Sequence, residues 1–361
     1  MSRLNVSNLF NENEDGAPVV SGISTFSSPN YFVPPSGSTT QRPSSPGEGM
    51  IRFNTDSGHL EYYTGTHWAD VIVKESSIIG GRGIFAGGSY NPGSTVRTNI
   101  IDYVTIQSTG NALDFGDLSV GRDVCAGCAS RTRGIIAGGY SGSELQSIDF
   151  IEIATLGDAA DFGDLSANRR NRDGCGDSTR GIMGGGWAPT ATIDVLTFAS
   201  TGSAATEGTL SVARYNAGAL SSSTRGVFAG GTGGTDTIDY VTIQSLGTAQ
   251  DFGNLNASST VCAGTSSSVR GIFVSNSGTI EYITISTTGN AQDFGDATYT
   301  TNNKNTTADS TRAVLGGGNS PADVNTINFI TIETTGNASD FGDLTQAKGS
   351  GAAFSNGHGG L

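Results

Sequence analysis

The sequence predicts an all-β fold: a six-bladed β-propeller closed by its C-terminal strand, preceded by an extended arm and a small β-meander. The first observation is a segment of Arg-Gly, two apolar residues, any residue and Gly-Gly that recurs at intervals of 42 to 51 residues. Six copies at this period match propeller blades of four strands each. The copies, two of them degenerate, begin at Arg82, Arg133, Arg180, Arg225, Arg270 and Arg312.

The second observation is the segment that follows each copy, such as IDYVTIQSTGNA from Ile101. Its β-branched and aromatic residues predict a strand, and apolar residues on both faces suit a blade packed between two neighbours. Gly110-Asn111 then predicts a hairpin turn, and DFGDL from Asp114 predicts a short further strand. A run of small residues before each Arg-Gly predicts the fourth strand of the blade.

The chain has six Arg-Gly copies, but only five complete small-residue strands lie between them. The missing strand is supplied by GSGAAFSNGHGG from Gly349, which aligns with the segment before the second copy. We expect this strand to pair with the one beginning near Arg82. Such pairing would close the ring and remove the free edges of an open array.

Composition excludes several classes of protein. The formal net charge of −14 would repel a phosphate backbone, so we expect no nucleic-acid partner. The N-terminus lacks an apolar core of signal-peptide length, and no run reaches transmembrane length. We therefore expect that the protein does not associate with a membrane. We also expect that it is made in a cytoplasm and is not exported by the usual route.

The residues that suggest a metal occupy repeated positions. Cys125 and Cys128 form a CxxC motif, but Cys128 and Cys175 each precede their arginine by five residues, and Cys125 and Cys262 by eight. Small buried residues are therefore favoured over a zinc site. The Asp-Phe-Gly triplet recurs five times, and its carboxylates are expected to cap turns and pair with the repeated arginine. Binding of Ca²⁺ by Asp114 with Asp117 is the weaker alternative.

Catalysis is not predicted. The chain has three histidines, and no nucleophile has a base and an orienting group near it in sequence. We expect no enzyme activity, no cofactor and no metal. The repeated arginines and the repeated acids (Asp102, Asp149, Asp194, Asp239 and Glu281) are each expected to share one role, bonding between blades.

The variable loops supply the candidate binding residues. In a four-stranded blade, the loop joining the second and third strands and the connection between blades lie on the same face of the disc. Here these loops carry aromatic and cationic side chains that suit stacking on sugar rings and bonding to hydroxyl or acidic groups; ordinary loop variability is the alternative. The candidates are Tyr90, Tyr140, Trp187, Arg122, Arg170, Arg172, Arg214 and Tyr215.

Before the repeats, two segments differ in character. Residues 1–35 are polar and predict an extended anchor arm. Residues 36–75 contain MIRFNT, HLEYYTG and HWADVIV, which predict a three-strand meander for attachment or oligomerisation. Because so small a unit cannot bury its apolar face alone, we expect it to need a partner. The repeats occupy residues 76–361.

Part of this meander resembles a recurrent segment of bacteriophage tail-fibre and other virion proteins. The repeats and the ending SNGHGGL resemble kelch-like repeat proteins of marine cyanophages, although the Tyr and Trp pair of cellular kelch blades and the copper ligands of galactose-oxidase-type propellers are not evident. The virion resemblance rests on Gln41, Arg42, Pro43, Gly49 to Asp56, Glu61, Tyr62, Tyr63, Gly65 and Trp68.

The resemblance implies a virion structural protein, assembled in the host cytoplasm and oligomeric through its N-terminal part, with a trimer favoured. Residues 1–75 would contact other tail, neck or capsid proteins. The leading hypothesis is a tail fibre or fibre-like appendage that binds a host-surface glycan. The alternative is a purely structural neck, tail-adaptor or capsid-decorating protein. A polysaccharide-degrading enzyme is less favoured, because the loop face offers few carboxylates (Glu144, Asp236 and Asp323) and no histidine.

Overall fold

The computed structural model describes residues 34–71, 81–90, 96–171, 173–232, 235–258, 262–319 and 322–361. Across these residues the chain is all-β, as predicted, and a single 3-10 turn at Thr39–Gln41 is the one helical element. No helix in these ranges is long and apolar enough to span a membrane. The chain divides into two compact units, Met1–Ser76 and Ser77–Leu361. Of the predicted arm, residues 1–33 lie outside the described ranges.

The first unit contains one four-stranded sheet in the order β1-β2-β3-β4. The three antiparallel strands expected from the sequence are present, and a short parallel strand is added at one edge. The strands are β1 (Ser36–Gly37), β2 (Ile51–Asn54), β3 (His59–Tyr63) and β4 (Trp68–Asp70).

This sheet buries charged and polar side chains on one face and exposes apolar side chains on the other. Glu61 is fully buried and bonds to Arg42, with the Nη2–Oε2 distance 2.5 Å, and Arg52 Nη1 lies 3.3 Å from its other oxygen. These contacts hold the pKa of Glu61 below its usual value, the hydrogen bond from Arg42 being the largest cause. The opposite face places Ile51 directly across from Tyr62, and both are exposed. One face of this sheet thus exposes apolar side chains.

Among its described residues, the second unit has six sheets of four antiparallel strands each, labelled I to VI. Sheet III has a fifth, parallel strand, β21 (Gly247–Thr248), and β6 (Ser89–Tyr90) and β7 (Val96–Arg97) form a separate two-stranded sheet. The sheets, each beginning with its first strand, are sheet I: β31 (Ala352–Ser355), β5 (Arg82–Ala86), β8 (Ile100–Thr105), β9 (Leu113–Asp117); sheet II: β10 (Ala126–Ala129), β11 (Arg133–Ala137), β12 (Ser147–Glu152), β13 (Ala160–Asp164); sheet III: β14 (Asp173–Gly176), β15 (Arg180–Gly184), β16 (Thr190–Thr197), β17 (Ala205–Arg214); sheet IV: β18 (Gly218–Ser221), β19 (Arg225–Ala229), β20 (Thr237–Thr242), β22 (Gln250–Asn254); sheet V: β23 (Cys262–Ser266), β24 (Arg270–Ser275), β25 (Thr279–Thr284), β26 (Gln292–Asp296); and sheet VI: β27 (Asn305–Ala308), β28 (Arg312–Gly316), β29 (Thr326–Thr331), β30 (Ser339–Asp343).

The first strands of the six sheets contact one another in a cyclic order. The expected pairing of the C-terminal strand is confirmed, because β31 pairs antiparallel with β5 and places Phe354 opposite Ile84. The strand β31 also contacts both β10 and β27. The series of contacts then runs β10, β14, β18, β23 and β27, and returns to β31.

In five of the six copies a glycine follows the arginine, and it marks where a neighbouring sheet packs closely. A Cβ atom at Gly181 in sheet III would lie 2.7 Å from the Cys128 sulfur of sheet II, and one at Gly226 in sheet IV would lie 3.2 Å from that of Cys175. Both thiols are free and buried, as their repeated position predicts. Burial raises the pKa of Cys128 to about 12, so this thiol behaves as a packing group. The side chain of Cys262 lies outside the described part.

The repeated arginine joins five of the six sheets to the next; in sheet III, Arg180 Nη1 instead bonds to Glu207 of the same sheet. Arg82 Nη1 donates to the Ile153 carbonyl of sheet II at 2.6 Å, while its guanidinium lies 4.7 Å from the centre of the Tyr103 ring. The expected pairing with the Asp-Phe-Gly carboxylates is therefore wrong for this arginine. Its guanidinium instead donates to a buried carbonyl and packs on an aromatic ring. The equivalent bonds run from Arg133 to Phe198, Arg225 to Ile285, Arg270 to Ile332 and Arg312 to Ile106.

The repeated acid also bonds between sheets, which confirms its expected role. In sheet II, Asp149 follows a β-bulge and accepts from the backbone N–H of Ser119 at 2.9 Å, in the segment that leaves sheet I. Bulges turn a side chain away from the regular alternation of a strand, and here the bulge recurs at the equivalent position of every sheet. The Phe of the Asp-Phe-Gly triplet is buried, as Phe115 and Phe162 illustrate, so the triplet is a packing element.

Candidate ligand-binding surface

A backbone link recurs on the loop side of the sheets. The N–H of Trp187, in the loop between β15 and β16, donates to the carbonyl of Arg170, in the segment that enters sheet III, at 2.8 Å. The same bond joins Tyr140 to Asp123 at 2.9 Å, and Thr232 to Tyr215 at 2.8 Å. Sheets I and VI repeat it between Ser89 and Gly349 and between Asn319 and Asn302. In these five sheets the backbone link is the same, whereas the side chains at the linked positions differ.

In sheets II to IV these positions bring aromatic and cationic side chains together. The Arg170 guanidinium lies 4.8 Å from the centre of the Tyr140 ring and 4.5 Å from that of Trp187. Trp187 meets Tyr215 at 4.8 Å with the two rings inclined by 62°. The Arg97 guanidinium lies 4.5 Å from the centre of the Tyr140 ring, which Arg170 also contacts. We call Arg97, Tyr140, Arg170, Trp187 and Tyr215 the aromatic–arginine row.

Four of the sequence candidates therefore lie in one surface group, in which Trp187 is 41% exposed. Arg97 was not predicted; the signal that could have identified it is its place in the longest variable loop, directly after the Tyr90 segment. Tyr90 itself is half-buried in β6, outside the row as defined. Arg172 lies outside the described residues.

The positive charges of the row are matched by carboxylates. Arg97 Nε bonds to Asp123 Oδ1 at 3.0 Å, and Arg170 Nε lies 3.6 Å from Glu144 Oε1. Burial raises the pKa of Asp123 above its usual value, although the Arg97 charge opposes that change. Each arginine of the row therefore has a carboxylate beside it, and the remaining members of the row are uncharged aromatic rings.

Arg122 and Arg214, also candidates, need correction. Both side chains are fully buried. Arg122 Nη1 donates to the carbonyls of Gly138 and Ser147 at 3.2 and 3.0 Å, and its Nη2 bonds to Asp149 at 3.0 Å. Arg214 makes the equivalent bonds, including one to Asp239. A surface ligand cannot reach either group, because each guanidinium is already held inside its sheet.

A cavity of about 100 Å³ is lined by the first strands of the second unit. At its rim, Val124, Asn171, Asn216, Asn303 and Ser350 all have positive φ, a conformation that asparagine tolerates well. Their backbones bond from one sheet to the next, as in Asn171 N–H to Val124 O at 2.7 Å. Asp173 also lines this cavity, and burial raises the pKa of its carboxyl well above the usual value.

The C-terminal tail lies across the sheets at a second cavity, of about 40 Å³, lined by the same strands and by His358. His358 Nε2 bonds to the Ala129 carbonyl of sheet II at 2.7 Å, and Gly359 N–H donates to Ser266 of sheet V at 2.9 Å. Since these two sheets are separated by III and IV, the tail connects opposite sides of the set.

Within the described ranges, no group of three or more His, Cys, Asp or Glu side chains is placed to hold a metal ion. The Ca²⁺ alternative at Asp114 and Asp117 thus has no third ligand of these types among those residues. What the surface can do chemically is stack planar groups and donate hydrogen bonds.

No protein-family model matches this chain, and no curated protein matches its sequence.

Proposed function

We propose that the second unit is a six-bladed β-propeller closed by its C-terminal strand. Each four-stranded sheet corresponds to one blade. The cyclic contacts of the first strands and the pairing of β31 with β5 support a ring in which the two chain ends of the repeat region complete one blade. The arginine that reaches from Arg312 in sheet VI to Ile106 in sheet I supports the same closure.

We further propose that the protein is a phage virion component, a tail fibre or fibre-like appendage, that binds a glycan on the host surface. The virion setting rests on the resemblance of the segment from Gln41 to Trp68. The exposed apolar face formed by Ile51, Phe53 and Tyr62 supports attachment or self-association through the first unit. The propeller would then be displayed for binding.

The aromatic–arginine row is the observation that carries glycan binding. Aromatic faces pack well against the apolar faces of sugar rings, while neighbouring donors bond to hydroxyl groups. The row lies on variable loops held by a constant backbone, an arrangement typical of binding surfaces on rigid scaffolds. Three of its five members are aromatic, and they come from three adjacent loop or connection segments.

The test is binding of the full chain to an array of bacterial surface glycans, compared between wild type, Trp187→Ala and Leu156→Ala. Leu156 is 57% exposed and follows β12 at the end opposite the Tyr140 loop, so it is a matched apolar control. We expect wild type and Leu156→Ala to bind and Trp187→Ala to lose at least about tenfold in affinity. Absence of binding to every glycan would favour the purely structural virion role, and shortening of a polysaccharide during incubation would favour an enzyme.

A further inference from the structure

We propose that the aromatic–arginine row binds an uncharged sugar residue stacked on Trp187, with Arg97 and Arg170 acting as structural supports for the rings and not as ligands for an anion. This inference rests on the proposed glycan-binding function and names the substrate class. It differs from the expectation drawn from the sequence, in which cationic side chains bond to acidic groups.

Charge compensation is the first argument. Each arginine of the row has its own carboxylate, Asp123 for Arg97 and Glu144 for Arg170. An acidic sugar would have to displace or approach these carboxylates on a protein of net charge −14. Like-charge contact of that kind disfavours a partner, so the row selects against uronic acids and sulfate esters.

The position of Arg170 is the second argument. Its guanidinium carbon lies 4.8 Å from the centre of the Tyr140 ring and 4.5 Å from that of the Trp187 ring, so one cation contacts two aromatic groups. Its carbonyl also accepts the Trp187 N–H. Stacked guanidinium groups rigidify their neighbours, and a ring that is already ordered loses little entropy on binding.

Exposure is the third argument. Trp187 is the exposed ring of the row, while Tyr140, Tyr215 and both arginines are half-buried. A ligand that approaches the row therefore meets the indole first. An indole packs against the apolar C–H face of a pyranose, and this contact requires no charge on the sugar.

The experiment follows the fluorescence of Trp187 in the full chain. The chain has two tryptophans, so a Trp68→Phe background leaves one reporter. Titrations use oligomers of glucose, galactose and mannose, and matched oligomers of glucuronate and sulfated galactose, each at about 20 mM and about 500 mM salt. We expect a neutral oligomer to bind with less than about a twofold change in affinity between the two salts.

Binding confined to acidic oligomers, weakening more than about tenfold at high salt, would overturn the neutral-sugar inference while leaving glycan binding intact. Failure of every oligomer and of the glycan array would overturn the proposed function itself. A Trp187→Phe variant guards against a folding defect, because it keeps an aromatic platform; its binding is followed on the glycan array, since it lacks the fluorescent reporter, and should stay within about tenfold of the wild type.

A second variant tests charge compensation directly. Glu144→Gln removes the carboxylate beside Arg170, and the control Glu152→Gln removes one beside Arg133, which lies at the other end of the same sheet. We expect Glu144→Gln to gain salt-dependent binding of the glucuronate oligomer and Glu152→Gln to gain none. Equal behaviour of the two variants would contradict the role assigned to the Glu144–Arg170 pair.

Discussion

At the scale of single residues, one repeated sequence position places a buried cation in the interior of three sheets, I, II and IV. Arg122, Arg169 and Arg214 each precede an Arg-Gly arginine by eleven residues. In the two fully buried members, Arg122 and Arg214, the guanidinium bonds to two backbone carbonyls and to the repeated acid. Lys348 does the same in sheet I, with its ammonium 3.2 Å from Asp102 Oδ2. Each of these cations therefore stabilises the connection between the second and third strands of its sheet.

The first prediction concerns Arg122. Replacing it with alanine leaves Asp149 buried without its ionic partner, and removing one member of a buried pair costs about 3–5 kcal/mol of unfolding free energy. Arg131→Ala, which alters an exposed arginine nearby, is the control and should change stability by less than about 0.5 kcal/mol. Chemical unfolding of the three proteins measures both values; equal stability of all three would refute the structural role.

The second prediction concerns pH. Burial lowers the pKa of His358 below its usual 6.5, and its two ring nitrogens are engaged by the Ala129 carbonyl and the Gly360 N–H. The neutral ring is thus favoured in the folded state, whereas the unfolded chain takes up the proton more readily. Stability should therefore be full above about pH 6.5 and fall as the pH drops toward the folded-state pKa.

Unfolding free energies at pH 7.5 and about pH 5 test this, with His358→Asn as the comparison. Wild type should lose more stability than the variant on acidification. A loss at least as large in His358→Asn would show that other groups cause it.

Residue spacing could predict that these positions were equivalent, but not which way each side chain points. The eleven-residue spacing of Arg122 and Arg214 marks them as repeated, and a repeated role argues against a local binding site. Both were nevertheless predicted as ligand residues, because they lie in segments that also carry exposed cations. The side-chain direction depends on tertiary contacts of the loop backbone, which no local pattern encodes.

At the scale of elements, the structure depends on a strand from the far end of the chain. The sequence predicted the pairing of β31 with β5, because a repeat lacked one strand and the C-terminus matched it. In the structure, Phe354 of β31 packs against Gly134 of sheet II, so this strand serves two sheets. The residues after β31 were predicted only as part of the segment that contains this strand. No local sequence pattern indicates that Gly359 bonds to Ser266 of sheet V.

The third prediction is that a chain ending at Thr345 loses its cooperative thermal transition. It lacks β31 and Lys348, so β5 is exposed as an edge and Asp102 loses its buried partner. A chain lacking only residues 357–361 keeps β31 and should melt cooperatively at a lower temperature. Circular dichroism and calorimetry compare the two; cooperative melting of the shorter chain at the wild-type temperature would contradict the role of β31.

At the scale of the whole molecule, repetition made the all-β fold class predictable but gave no indication of the proposed binding surface. Strand positions followed from six similar segments, because each one is under the same local and inter-sheet constraints. The aromatic–arginine row lies where the repeats differ, so its members were found as loop residues without their partners. Arg97 and the carboxylates that neutralise the row could be recognised only after the loops were placed together.

The most direct measurement of the proposed function is attachment of the labelled full chain to host cells. We predict binding to cells of a susceptible cyanobacterial host, loss of that binding after periodate oxidation of the surface glycans, and loss in Trp187→Ala but not in Leu156→Ala. No attachment to any host, together with density that places the repeats between other virion proteins, would contradict the receptor-binding account.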